Sequence, residues 1–318
     1  MHFSPTPMHL PDGFLSVIVA IACWLLSAGG VVVALRKTGH QLGERQTPLM
    51  GVLAAAIFAG QMLNFPVAGG TSGHLLGAAL AAIVLGPWPA VLVMTTVVGV
   101  QALIFQDGGI LALGANLLNM AIIGPFTGYA VYQLINKLAA GRKWGLFVGG
   151  FVSAWASIFI ASLACALQLA LSGSSPANYA VPAMGGIHAV IGIGEGLITV
   201  GALAFLYSAR RDLLPTINSG AAAPAGNTGV LVVGALITVG LAVLSPLASA
   251  HPDGLEWVAE QGSFIGLARD SAYNLIPDYV MPGIPGEALA TVLAGILGAL
   301  IVFGIAFLFS RSRRRSQA

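Results

Sequence analysis

From Phe14 to Leu35 the chain runs without one charged residue, and comparable apolar runs return along its whole length. Such runs must be buried in protein or in lipid, and here too little polar chain remains to cover them. Of 318 residues, 57% are hydrophobic and only 8% charged, far outside soluble usage. A spanning helix needs roughly 20 apolar residues to cross ~30 Å of hydrocarbon with its backbone groups satisfied internally. Nine runs qualify, at about 14–35, 48–65, 73–86, 88–106, 113–136, 145–172, 184–208, 229–249 and 287–310, the third of them short. The region 66–90 leaves a re-entrant helix as the alternative. The expected fold is all-α, a polytopic integral membrane protein with a seven-helix body and a two-helix module at its carboxyl end. The 42 glycines fit it, because small residues let helix backbones approach closely in lipid.

Basic residues near span ends are retained on the cytoplasmic side. With nine alternating crossings, Arg36, Lys37, Arg45, Lys137, Arg142, Lys143, Arg210, Arg211, Arg311, Arg313, Arg314 and Arg315 share one side, leaving Arg269 alone among the 13. The amino terminus is therefore expected outside and the carboxyl terminus in the cytoplasm. Arg269 shares its loop with Asp253, Glu256, Glu260, Asp270 and Asp278, and acidic residues resist translocation little. No basic segment precedes the first run, so that run reads as an uncleaved anchor rather than a removed signal peptide. The net charge of +2 averages two oppositely charged faces.

Hydrophobic periodicity breaks at LPTINSGAAAPAGNTG, which reads as a cytoplasmic linker. The expected organisation is a first module over 1–213, the linker over 214–228 and a second module over 229–318. Within the second, SPLASAHPDG resembles a signal-peptidase site after Ala250, although a span end followed by a turn explains it better. Cys23 and Cys165 lie inside apolar runs on different spans and read as small buried hydrophobes, with no disulfide or thiolate metal site.

On this topology His9, His74, His188 and His251 all fall on or near the outer side. One histidine at a bilayer interface is usually an amphipathic anchor; several at the ends of different spans suggest more. Met8-His9 adds a chemical possibility if Met8 is a chain terminus. Its α-amine, the deprotonated amide nitrogen of His9 and the His9 imidazole can close two fused chelate rings around one divalent ion. One more imidazole completes a four-nitrogen plane, which suits Ni(II) or Cu(II) rather than tetrahedral Zn(II) or oxygen-seeking Mg(II). His74 is the natural fourth ligand, and Gly69, Gly70 and Gly73 would let its loop approach the terminus closely.

MHLPDGFLS, GGTSGHLLGA, FQDGGILALGANLLNM and HAVIGIGEGLIT, over about 8–212, resemble the CbiM/NikM family of substrate-capturing membrane subunits of energy-coupling-factor transporters for cobalt and nickel. HPDGLEWVAE and its flanking spans resemble the PDGLE (NikN-like) module that some members carry fused at the carboxyl terminus. The resemblance implies Ni(II) or Co(II) as transported substrate and no permanent cofactor. It also implies a metal held by the amino-terminal amine, the backbone nitrogen and imidazole of the second residue, and a histidine after the second span, here Met8, His9 and His74. The implied partners are a coupling membrane subunit (CbiQ/NikQ-like) and cytoplasmic ATPase subunits (CbiO/NikO-like), in the inner or plasma membrane of a prokaryote. The departure is MHFSPTP, which would bury the amine of Met8 in a peptide bond. Translation from Met8 is the favoured resolution; trimming, or a shifted copy of the chelator at Met1-His2, are the others.

Asp107, with Asn116 and Asn119 at helical spacing, could orient the loops that present His74, and structural hydrogen bonding explains them equally well. Ser72 and His188 join them as supporting residues, and Glu195, seven residues beyond His188 on one helix face, suits hydrogen bonding better than ligation. None of the three lysines, Lys37, Lys137 and Lys143, follows glycine, so no Walker A loop exists and no ATP hydrolysis is expected here. Nothing suggests a nucleic-acid partner. Two rival classes stand beside this reading. A self-sufficient secondary permease would need a polar pathway, and the spans offer little besides Glu195. A rhomboid-like protease could use Ser72 of GTSG with His188, but its motif is short.

Overall fold

The computed structural model describes residues 9–41, 46–214 and 228–312. Met8 and everything before it, the linker residues 215–227 and the arginines beyond 312 lie outside those residues. In chain order, α1 (Val17–Gln41) and α2 (Gln46–Gln61) lead to a hairpin of β1 (Phe65–Val67) and β2 (Thr71–Gly73). Next come α3 (Ala78–Leu85) and α4 (Pro87–Ile104). α5 (Leu113–Asn116) passes through a π-helical stretch, Leu117–Ile123, into α6 (Gly124–Ala139). The long α7 (Lys143–Ser172) and α8 (Ala177–Ala209) complete the first module. Beyond the linker lie α9 (Thr228–Leu244), the short α10 (Gly254–Gln261) and α11 (Glu287–Ser312).

The chain is a mostly helical, multi-pass membrane protein: among the described residues α1, α4, α7, α8, α9 and α11 are long and apolar enough to cross. The third apolar run forms a helix too short to span the hydrocarbon by itself. α3 has eight residues, all buried, and so rises only about 12 Å against ~30 Å of hydrocarbon. The left-handed φ of Gly77 and the φ of 88° at Gly86 break the run on both sides. The irregular chain ahead of α3 is satisfied by neighbouring protein, Leu76 N and Gly77 N by Glu195 and Leu76 O by Gln61, the condition under which irregular chain is tolerated at membrane depth. The hairpin, in register from Phe65↔Gly73 to Val67↔Thr71, is a small exception to the all-α expectation. The last helix of the first module also starts earlier than its hydropathy suggested, at Ala177 rather than 184, and the run 229–249 ends at Leu244 in a 3-10 turn.

Small residues set the packing. Gly192 and Gly196 on α8 face Trp155 and Phe151 of α7, where an added Cβ would sit 2.7 and 2.6 Å from those rings. The second module docks in the same way on α2: Gly298 of α11 lies against Phe58 and Gly234 of α9 against Val52, with hypothetical Cβ contacts of 2.2 and 2.1 Å. α3 sits at the centre, packed on α4, α6, α7 and α8.

Hydrogen bonds gather the functional segments at one end of the bundle. Ser174 Oγ donates to Phe14 O, Ser249 N to Asn64 O at 2.8 Å, Ile276 N to Ile104 O at 3.1 Å and the Tyr179 hydroxyl to Val258 O at 3.2 Å. The start of α1, the ends of α2, α4 and α7, the start of α8 and the loops of the second module therefore meet there.

Candidate metal-binding site

The segment entering α1 is held by the turn after α4. Asn116 grips it from both sides, accepting from Leu10 N at 3.1 Å and donating through Nδ2 to Leu10 O at 3.1 Å. The Asp12 carboxylate accepts the amides of Ile110 at 3.1 Å and Ala112 at 3.0 Å. This contact is so close that a Cβ on Gly109 would lie 2.0 Å from Asp12 Oδ1, which gives the second glycine of QDGG its physical reason. His9 is thereby fixed in a buried position. Its amide donates to Asp107 Oδ1 at 3.2 Å, and its Nδ1 lies 3.3 Å both from that oxygen and from the Asp107 carbonyl. His9 Nε2 is buried without a hydrogen-bond partner.

His74 comes to it from the far side. The two rings stand edge to face with centroids 5.7 Å apart, although 65 residues of chain separate them (74 − 9). His74 Nδ1 pairs with Leu75 O at 3.1 Å, and the loop beneath is clamped by Glu195, which accepts Leu76 N at 2.7 Å and Gly77 N at 2.9 Å. A carboxylate at the start of α3 also suits the positive end of a helix. Gln61 Nε2 donates to Leu76 O at 2.8 Å, closing the loop from α2.

His188 is turned back along α8, its Nδ1 2.8 Å from Met184 O. It lines one cavity of about 80 Å³ together with His9, His74, Asn119, Cys165 and Asp253. Asn119, on the π-helical stretch, exchanges a reciprocal pair of 2.8 Å amide hydrogen bonds with Gln168 of α7. Ser72 is spent elsewhere: its Oγ donates to His251 O at 2.8 Å and Pro252 O at 3.3 Å, and its amide to Pro252 O at 2.8 Å. It makes no hydrogen bond to His188, so no serine–histidine pair is formed.

Two residues absent from the sequence reading of the site come from the second module. Asp253 is buried, caps α10 by accepting Glu256 N at 2.7 Å, and burial pushes its carboxyl well above the usual carboxylate range. It also borders a larger cavity of about 390 Å³, lined by Asp12, Glu256, Arg269, Asp270 and Asp278 and reaching His9. Tyr279 is fully buried and donates its hydroxyl to Asp107 Oδ2 at 2.6 Å. Burial, then the charge of Asp107, raise its phenol well above its ordinary value, so it stays a donor. A signal for Asp253 was present, since Pro-Asp-Gly occurs at 11–13 and again at 252–254, and both aspartates cap main-chain amides at this end.

Among the described residues no three His, Cys, Asp or Glu side chains converge as a metal site on their own. Two imidazoles, those of His9 and His74, are brought together here.

Residues 9–213 match the CbiM family, described as the cobalt uptake substrate-specific transmembrane region, and residues 228–315 match the PDGLE domain. The chain is 38% identical over 314 residues to a protein of Archaeoglobus fulgidus assigned as a fused nickel transport protein NikMN, covering 96% of this chain and 99% of that one. A fused nickel transport protein NikMN of Rhodobacter capsulatus is 33% identical, with 94% of this chain and 96% of that one covered. The crystal structure of a truncated transition metal transporter superposes with a TM-score of 0.56 at 35% identity, covering 63% of this chain and 99% of the other.

Proposed function

The chain belongs to the CbiM family and carries a PDGLE domain behind it, and on that premise we propose that it captures Ni(II) or Co(II) at the outer face of the membrane and delivers it inward. Capture is assigned to residues 1–213 and a supporting role to 229–318. The observation that carries the reading is the meeting of the His9 and His74 rings, centroids 5.7 Å apart at the mouth of the bundle, with His9 Nδ1, the ring nitrogen that can close a chelate with its own amide, buried 3.3 Å from Asp107. With the α-amine of Met8 and the amide nitrogen of His9, these imidazoles make four nitrogen donors. Such a plane suits Ni(II), and the names of the two fused relatives support nickel as cargo.

The amide of His9 must lose its proton to become a donor, and its N–H is aimed at the Asp107 carboxylate. Asn116 and Asp12 hold the chelating segment, and Glu195 holds the loop of His74. The excess of basic residues at one set of span ends supports an amino terminus outside and a carboxyl terminus inside. Without a Walker A loop, uphill delivery takes its energy from ATPase subunits acting through a coupling membrane subunit.

The experiment starts from protein whose first residue is shown by mass to be Met8. It should bind one nickel, and His74→Ala or acetylation of the amine should abolish tight binding; capture surviving both changes would overturn the site. Strong uphill uptake by this chain alone in sealed vesicles would overturn the need for partner subunits.

A further inference from the structure

Tyr279 is a side chain of the second module lodged inside the first. Its ring stacks on Phe105 with centroids 4.8 Å apart and planes 14° from parallel, and Phe58 closes the pocket at 6.1 Å. The backbone that delivers it is left-handed at two successive non-glycine residues, Asp278 with φ 53° and Tyr279 with φ 58°. L-residues hold that conformation only where the surroundings impose it, and such strain gathers at functional sites. Here the surroundings are the end of α4: Ile276 N donates to Ile104 O at 3.1 Å and Asp278 N to Phe105 O at 3.2 Å. The ring stack adds to the packing of α9 and α11 on α2 in docking the module. The hydroxyl does something more specific, because it occupies Asp107 Oδ2 while Oδ1 of the same carboxylate receives the His9 amide.

We propose that Tyr279 is a positioning residue for metal capture, setting the rotation of the Asp107 carboxylate so that its other oxygen meets the His9 N–H. This rests on the reading of His9 as a ligand. It gives the second module a direct part in the affinity of a site whose donors lie in the first. Loss of the hydroxyl removes the contact at Oδ2, and the orientation of the amide received at Oδ1 is then less tightly set before the ion arrives.

The test uses the full-length chain beginning at Met8 and nickel alone as probe. Tyr279→Phe keeps the ring stack and removes only the hydroxyl, and it should weaken nickel binding about 10-fold or more, within the range for residues that orient metal ligands. Asp107→Asn should weaken it at least as much, and the double variant should match Asp107→Asn within about two-fold, since both changes break one linkage. Tyr273→Phe is the control: its hydroxyl ties the same module to Leu103 O at 2.9 Å, and its loss should leave nickel affinity unchanged. Visible absorption of the bound nickel should change in Tyr279→Phe and not in Tyr273→Phe. Wild-type affinity in Tyr279→Phe, full additivity with Asp107→Asn, or an equal loss in Tyr273→Phe would overturn the proposal. If His74→Ala leaves the parent protein's affinity intact, the capture reading itself falls; if it abolishes binding while Tyr279→Phe does not weaken it, only this inference falls.

Discussion

Replacing Glu195 gives the sharpest measure of how the loop carrying His74 is held. Two buried amides, Leu76 N and Gly77 N, end on its carboxylate at 2.7 and 2.9 Å, and Glu195 is itself fully buried. Removing the acceptor leaves both N–H groups unsatisfied, at about 1–3 kcal/mol each. Glu195→Ala should therefore cost roughly 2–6 kcal/mol, less whatever water entering the vacated space recovers. Glu195→Gln keeps one acceptor oxygen and turns an amide NH₂ toward the second N–H, so about half of that loss, ~1–3 kcal/mol, is expected. Because the same loop presents His74, part of the loss should appear as weaker nickel binding, at about tenfold per 1.4 kcal/mol. Thermal unfolding in detergent and nickel titration on one preparation measure both. The expected order is wild type, then Gln, then Ala in each assay. An Ala variant matching wild type in unfolding midpoint and nickel affinity would refute the clamp.

Three further outcomes follow from the same geometry. Gly109→Ala puts a methyl group 2.0 Å from Asp12 Oδ1, so the turn must shift and nickel affinity should fall at least about tenfold; unchanged affinity would show that this turn does not position His9. Nickel binding should weaken as pH falls, because protons return to the amine and the His9 amide nitrogen and compete with the ion; a pH series of nickel titrations showing flat affinity would exclude those donors. Asn119→Ala orphans the buried amide of Gln168 and should lower the unfolding midpoint by the equivalent of about 1–3 kcal/mol, and an unchanged midpoint would show that the pair adds nothing to stability.

The helices were legible because hydropathy reports how much apolar surface a segment must hide. It does not report from what. α3 is as apolar as a spanning helix but is hidden by protein, and only the glycines on either side, Gly77 and Gly86, hinted that the run was broken. His9 and His74 could be paired in advance because the expected Met-His chelator would lack one nitrogen that a histidine among glycines can offer, and the two rings do lie with centroids 5.7 Å apart. Glu195 announced itself as a buried charge that needed donors, though not which ones. Tyr279 gave no such sign. Its meaning lies in one contact with Asp107, 172 positions away, and a tyrosine in a polar loop carries no spacing that points there.

The hairpin has an outcome of its own. Ser249 donates to Asn64 O, and Ser72 and Thr71 both donate to Pro252 O, so the carboxyl-terminal module lies along β2 almost as a third strand. Main-chain seams of this kind hold through pairing rather than through a covalent tether. Two polypeptides divided between Leu214 and Thr228 would keep every one of these hydrogen bonds and forfeit only the raised local concentration that fusion provides. Co-produced halves should then reassemble without the tether, guided by this edge together with the packing of α9 and α11 on α2.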